Sequence, residues 1–234
     1  MERDIRRMRI FGDSILKGVV YREELDRYVP LEPNGFDRLG RLLGMTFQNN
    51  ALFGCTVTKG MQLLRKAIRK GLCCDGVLLE YGGNDCDFLW DEVSARPDDE
   101  HVPKTSLETF EQTLKEMIAL LESLHVVPVL MTLPPIHAER YLSHICRNGL
   151  SQSNILHWLG GDIHTIERYQ ELYSLRIATV AAQTNTKLMD IRSAFLARKD
   201  CASLICSDGI HPSEKGHALI MDTFAGYHAV SISA

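Results

Sequence analysis

Four short segments carry residue types that together could transfer an acyl group: Phe11-Gly12-Asp13-Ser14, Gly54, Gly82-Gly83-Asn84-Asp85 and Asp208-Gly209-Ile210-His211-Pro212. A serine hydroxyl is a weak nucleophile at its ordinary pKa, so Ser14 needs a base within hydrogen-bond reach and a third group to orient that base. Asp208 and His211 can supply both from one loop, the carboxylate bonding one imidazole nitrogen while the other faces Ser14. His211 would take the serine proton in acylation and return it to the leaving group, and Asp208 would hold the tautomer. Taken alone, Ser14 reads as a helix cap after a strand, and Asp208 and His211 as a polar turn before Pro212. Nucleophile, base, carboxylate and oxyanion donors in one chain favour catalysis.

A tetrahedral intermediate places negative charge on the former carbonyl oxygen, and losing one good donor to that charge costs about 10²–10³ in rate. The candidate donors are the backbone amides of Ser14 and Gly54 and the side-chain amide of Asn84. Gly54 lacks a Cβ, which lets substrate approach the backbone closely, although a plain loop glycine between Phe53 and Cys55 is the simpler reading of that residue alone. Asn84 offers a donor that cannot change charge; the alternative for its segment is a Gly-Gly-Asn turn. Asp13 and Asp85 flank these positions and are expected to accept backbone amide hydrogen bonds rather than to act as acids or bases. Glu80 falls in an apolar strand pattern, where an edge position or a pairing with a basic group would account for it.

The elements that must position these residues alternate short apolar runs with longer amphipathic ones. Strands are predicted at Met8–Phe11, Thr46–Asn49, Val77–Tyr81, Val127–Leu133 and Lys187–Asp190. Helices are predicted at Leu107–Leu124, Lys59–Lys70, Ile166–Ala182 and Glu214–Tyr227. In the first of these, Leu107, Phe110, Leu114, Met117, Ile118 and Leu121 recur at steps of three and four and form one apolar stripe. Thr105 or Ser106 could cap it, and Pro212-Ser213 could open the last helix. Strands separated by helices of this length need crossover connections, so a parallel sheet covered on both faces is expected, a three-layer α/β/α sandwich. Ser14, Gly54 and Asn84 then follow three strand ends, where ligands of open parallel sheets collect, each just before a helical segment whose amides favour an oxyanion.

In order and extent these segments resemble the SGNH hydrolase superfamily, also called the GDSL esterase/lipase family, whose name records serine, glycine, asparagine and histidine. Ile15 stands where the family's short name has leucine, an apolar exchange that touches nothing catalytic. The resemblance implies a flavodoxin-like α/β/α fold with a central parallel sheet of about five strands. It implies Ser14 as nucleophile, His211 as base, Asp208 as its partner, and Ser14, Gly54 and Asn84 at the oxyanion hole. It also implies no metal and no organic cofactor.

Composition excludes several other classes. At 234 residues with 45% hydrophobic content the chain can bury one full core, and a single domain over 1–234 is the simplest expectation. A net charge of −4 makes no electrostatic case for nucleic acid or an anionic membrane. The tightest basic group, Arg3, Arg6, Arg7 and Arg9 beside Glu2 and Asp4, reads as a solvated N-terminal turn. No signal-peptide run and no stretch near the ~18 apolar residues of a membrane span is present, so a cytoplasmic protein without stable membrane association is expected. The 7 cysteines are odd in number and lack a framework or zinc-ligand pattern, which favours free thiols. No P-loop, no GxGxxG after a strand and no GxSxG elbow occurs.

Residues 134–162, which include Pro134-Pro135, His137, Tyr141, His144, His157 and Trp158, interrupt the alternation. They are expected to form a lid or one wall of an acyl pocket with Trp158 as an apolar contact, or a helical excursion packing against the sheet edge or another subunit. Arg96–Lys104 reads as a solvated turn. The substrate expected is a small-molecule ester with a short acyl or acetyl group, a carbohydrate being one candidate alcohol. A lysophospholipase or thioesterase of the same fold, and a non-catalytic binder of an acylated ligand or protein partner, are the alternatives. Homo-oligomerisation is left open.

Overall fold

The computed structural model describes residues 5–232, with side chains as far as residue 227. Arg3, Glu2 and Asp4 of the expected basic turn lie outside the described residues. The chain runs β1 (Arg7–Gly12), α1 (Ser14–Lys17), β2 (Val19–Arg22), β3 (Arg27–Pro30), α2 (Gly35–Leu43), β4 (Thr46–Asn49), α3 (Val57–Arg69), β5 (Gly76–Glu80) and α4 (Trp90–Ala95). It continues α5 (Leu107–Ser123), β6 (Val127–Met131), α6 (Ala138–Cys146), α7 (Gln152–Trp158), α8 (Thr165–Thr184), β7 (Lys187–Met189), α9 (Ile191–Leu196) and α10 (Glu214–Ile232).

Five strands pair in parallel in the order β4-β1-β5-β6-β7. Counted along the sheet alone this is the 2-1-3-4-5 order of flavodoxin-like folds, as the sequence led us to expect. Both faces are apolar, because successive side chains of a strand point to opposite sides. On β5, Val77 and Leu79 join a cluster with α3, α5 and α8, whereas Leu78 joins another with α2, α9 and α10. The stripe on α5 is buried at Phe110, Leu114, Met117, Ile118 and Leu121. Each such side chain contributes on the order of 2 kcal/mol by leaving water. Ser106 caps this helix, its Oγ accepting the Thr109 amide at 3.2 Å.

The strands end earlier than the apolar runs suggest. Tyr81 lies beyond the last β1–β5 pair, Gly12 with Glu80, because the chain turns away at Gly82, whose φ is +131°. Asp190 leaves β7 to cap α9, accepting the Ser193 amide at 3.1 Å. Unexpected elements are the antiparallel hairpin β2–β3 and the helices α2 and α9. Segment 134–162 is helical, contributing α6 and α7 to a third apolar cluster with Phe88, Trp90, Val93 and Ile166 beyond the carboxyl ends of the strands. Among the described residues, no helix is long and apolar enough to cross a membrane.

Candidate active site

Ser14 opens α1 immediately after β1, and the turn before it is held by Asp13, whose Oδ1 accepts the Ile15 amide at 2.8 Å. The Ser14 hydroxyl lies 2.9 Å from His211 Nε2, and His211 Nδ1 lies 2.5 Å from Asp208 Oδ2. All three are buried: Asp208 is 0% exposed, His211 4% and Ser14 6%. A carboxylate at that distance requires Nδ1 to carry the hydrogen, which leaves the Nε2 lone pair to accept from the serine. Asp208 Oδ1 also accepts the backbone amides of Ile210 and His211, both at 3.2 Å. Residues separated by almost the whole chain thus form one continuous hydrogen-bonded series.

The loop carrying Asp208 and His211 is docked on α6. His137 donates its amide to the Gly209 carbonyl at 2.8 Å. Gly209 has φ +80°, and a Cβ there would stand 2.4 Å from the Tyr141 nitrogen and 2.6 Å from the His137 carbonyl oxygen. Only glycine satisfies both the left-handed backbone and this approach. On its other side the imidazole meets Phe53, stacked at 6.0 Å between ring centroids, and Tyr28, tilted at 4.9 Å. Tyr28 comes from the unexpected hairpin and hydrogen-bonds His144 Nε2 at 2.8 Å. Burial lowers the His144 pKa.

Asn84 sits across from Ser14, its amide nitrogen donating to Asp13 Oδ2 at 2.8 Å and approaching the Cys55 carbonyl at 3.5 Å. The Cys55 contact puts the Gly54 turn beside it. Gly54 itself is exposed, with φ +67° and open space where a Cβ would be. It does not line the cavity, whereas Phe53, Ser14 and Asn84 do. The expectation of a helix just after Asn84 is corrected: α4 starts at Trp90, and the intervening turn is organised by carboxylates instead. Asp85 accepts the Val57 amide at the start of α3 with both oxygens, at 3.0 and 3.1 Å. Burial raises its pKa to about 6, against the lowering effect of these bonds and one from Thr105. Asp13 and Asp85 therefore accept backbone amides, the role expected of them.

Glu80 requires a second correction. It is neither on an edge nor paired with a base: β5 is the central strand, and no ion pair to Glu80 forms among the described residues. Its side chain is 0% exposed, Oε2 accepts the Asp13 amide at 3.3 Å, and Oε1 has no hydrogen-bond partner. Burial and the neighbouring Asp13 push its pKa well above the usual carboxylate range. An apolar run around Glu80 held the signal that something unusual was buried there, but its partner lies 67 residues away.

Ser14 and His211 open onto a cavity of about 550 Å³. One wall comes from residues 134–150, including Pro134, Ile136, Tyr141 and Leu150; another comes from Phe88, Trp90, Ile166 and Tyr169. Asp87 anchors the two together, Oδ1 accepting from Trp90 Nε1 and the Tyr141 hydroxyl, each at 2.7 Å, and Oδ2 from Lys104 at 2.8 Å. Trp158, expected as an apolar contact in the pocket, lies behind this wall, packed edge-on against Phe88 at 4.8 Å.

A serine, an imidazole and a carboxylate in series at the carboxyl ends of a flavodoxin-like sheet define a class, the serine ester hydrolases. Over residues 10–219 the sequence matches the GDSL-like Lipase/Acylhydrolase family, and the chain belongs to that family. Among solved structures it resembles the lipase/acylhydrolase from Enterococcus faecalis, at 22% identity over 95% of this chain and 94% of that one, with a TM-score of 0.64. It also resembles a catalytic mutant of an acetylxylan esterase from Geobacillus stearothermophilus, at 18% identity over 95% of this chain and 94% of that one, with a TM-score of 0.61. These likenesses are likenesses of fold. No curated protein matches the sequence.

Proposed function

We propose that the chain hydrolyses short-chain acyl or acetyl esters, with a carbohydrate as one candidate alcohol, through an acyl-enzyme on Ser14. The observation that carries this reading is the continuous series Ser14 Oγ, His211 Nε2, His211 Nδ1 and Asp208 Oδ2, at 2.9 and 2.5 Å, opening onto a cavity. Ser14 Oγ attacks the ester carbonyl as its proton passes to His211 Nε2. Asp208 stabilises the resulting imidazolium. The carbonyl oxygen takes up the negative charge and is met by the amides of Ser14 and Asn84, which line the cavity where Gly54 does not. Collapse expels the alcohol, which receives the proton from His211. A water then repeats the sequence, losing its proton to His211 and releasing the acid.

A second reading, a lysophospholipase or thioesterase, is favoured by the size and lining of the cavity, whose apolar walls exceed what an acetyl group fills. A series of p-nitrophenyl esters from acetate to palmitate separates the two: highest kcat/KM on acetate or butyrate supports the first, on palmitate the second. Covalent labelling by a fluorophosphonate tests both against a non-catalytic binder. Added mass at Ser14, absent in Ser14→Ala, is expected; folded protein that does not react would overturn the hydrolase reading.

A further inference from the structure

Glu80 lines the cavity but has no place in the relay of Ser14, His211 and Asp208. It is fixed in position. Gly12 stands opposite it in the β1–β5 register, and a Cβ on Gly12 would lie 3.0 Å from both Glu80 Oε2 and the Glu80 carbonyl oxygen. Glu80 Oε2 accepts the Asp13 amide at 3.3 Å, which draws the two residues together, and Glu80 Oε1 is buried without a hydrogen-bond partner. Two buried carboxyls at neighbouring positions, with no base among the described residues paired to Glu80, disfavour two negative charges, so one of them keeps its proton.

The surroundings decide where that proton resides. Beside Glu80 stand Asp13 in the β1–α1 turn, Asp85 in the loop after β5 and Cys55 in the loop before α3. Every one of these groups would be neutral or negative. Asp13, by contrast, receives two donors, the Ile15 amide and the Asn84 side-chain amide, each at 2.8 Å. Desolvation opposes both charges, but Asp13 has two donors to offset it where Glu80 has one, the Asp13 backbone amide, so the charge belongs on Asp13 and the proton on Glu80.

We propose that Glu80 is a positioning residue of the oxyanion site: as a neutral acid it donates to Asp13, and the single negative charge kept there fixes the orientation of the Asn84 amide. A carboxamide has two ends of nearly equal size, one donating and one accepting. An anionic Asp13 accepts only, so it selects the nitrogen end of Asn84. A neutral Asp13 could donate to the oxygen end instead, and an ionised Glu80 would add a second negative charge beside the developing oxyanion. The inference rests on Ser14 as nucleophile and Asn84 as oxyanion donor.

Steady-state kinetics on p-nitrophenyl acetate with Glu80→Leu and Glu80→Gln test it, together with infrared difference spectra of the unmodified chain and Glu80→Gln at neutral pH. Glu80→Leu is expected to lower kcat about 10–100-fold with KM within about twofold, the size of a weakened oxyanion donor. Glu80→Gln, whose Nε2 can donate to Asp13, is expected to restore kcat to within about threefold, by the same reasoning. The carbonyl band of a protonated carboxylic acid should be present in the unmodified chain and missing from Glu80→Gln. Equal losses in both variants, an unimpaired Glu80→Leu, or no such band overturns the inference. If Glu80→Leu does not fold, the band and the Gln rescue decide. Fluorophosphonate labelling separates the two levels. Ser14 that labels while these outcomes fail leaves the hydrolase reading standing, and Ser14 that does not label removes both.

Discussion

Asn84 donates its side-chain amide to Asp13 at 2.8 Å, so the turn that carries Ser14 and the turn after β5 are fastened together side chain to side chain. The same two turns are already neighbours through the β1–β5 ladder. What the hydrogen bond adds is orientation: a donor aimed at the oxyanion is useful only if it is held before charge develops.

Removing that donor should therefore affect turnover rather than binding. Asn84→Ala is expected to lower kcat by about 10²–10³ with KM within a few-fold. Fluorophosphonate labelling of Ser14 should slow in parallel. A KM effect without a kcat effect would reassign Asn84 to substrate binding.

Two glycines with similar backbones should behave differently. Gly160 has φ +73° and open space where a Cβ would stand, so Gly160→Ala should cost about 1 kcal/mol of backbone strain. Gly209→Ala adds the collision with α6 at 2.4 Å and should cost several times as much by the same scale. Urea melts compare the two, and kcat should fall only for Gly209→Ala, because only that loop carries Asp208 and His211.

The acid limit of stability has an identifiable contributor in His217. It is buried on α10, donates Nε2–H to the Val19 carbonyl at 2.9 Å, and has its pKa pushed down to about 4 by burial. An unfolded histidine titrates near 6.5, so below that pH the unfolded chain takes up a proton that the folded chain refuses. The stability His217 contributes is thus complete above about pH 6.5 and is lost as the pH falls towards 4, by about 3 kcal/mol in all. In His217→Gln the fall in unfolding free energy over that interval should be shallower by this amount. An unchanged slope would remove His217 from the account.

Filling the cavity should change acyl preference. Ile166 is 5% exposed and lies in its wall, so Ile166→Trp places bulk where a longer acyl chain would run. The ratio of kcat/KM for octanoate over acetate p-nitrophenyl esters should fall about tenfold, the scale at which a pocket discriminates a few methylenes. No change in the ratio would place the acyl chain elsewhere.

Much of this architecture was legible from local pattern. The stripe on α5 and the short apolar runs of β1, β4, β5, β6 and β7 follow from periodicity, and the residues of the relay stood out by type and order. Hairpin β2–β3 did not, since each strand is only four residues long, begins or ends in charge, and turns through Glu23, Glu24 and Asp26. A run of Val19-Val20-Tyr21 answered by Tyr28-Val29 was the available signal. Helix α2 was obscured by Gly35 and Gly40. Glu80 was misread because its partner is the backbone amide of Asp13, 67 residues away just past the end of a neighbouring strand, and nothing in local sequence announces that contact. Trp158 was placed one layer too far inward for a similar reason: which aromatic faces the cavity depends on how α7 packs against Phe88.

Helix α6 both bounds the cavity, through Tyr141 and Ile145, and supports the turn at Gly209. The wall that meets substrate and the brace beneath the imidazole are one rigid body. Substitutions that reshape this side of the cavity will accordingly shift the proton-transfer geometry as well, and selectivity here cannot be tuned independently of speed. A designer seeking a new acyl preference does better to start at Ile166 and Tyr169, wall residues that do not belong to α6.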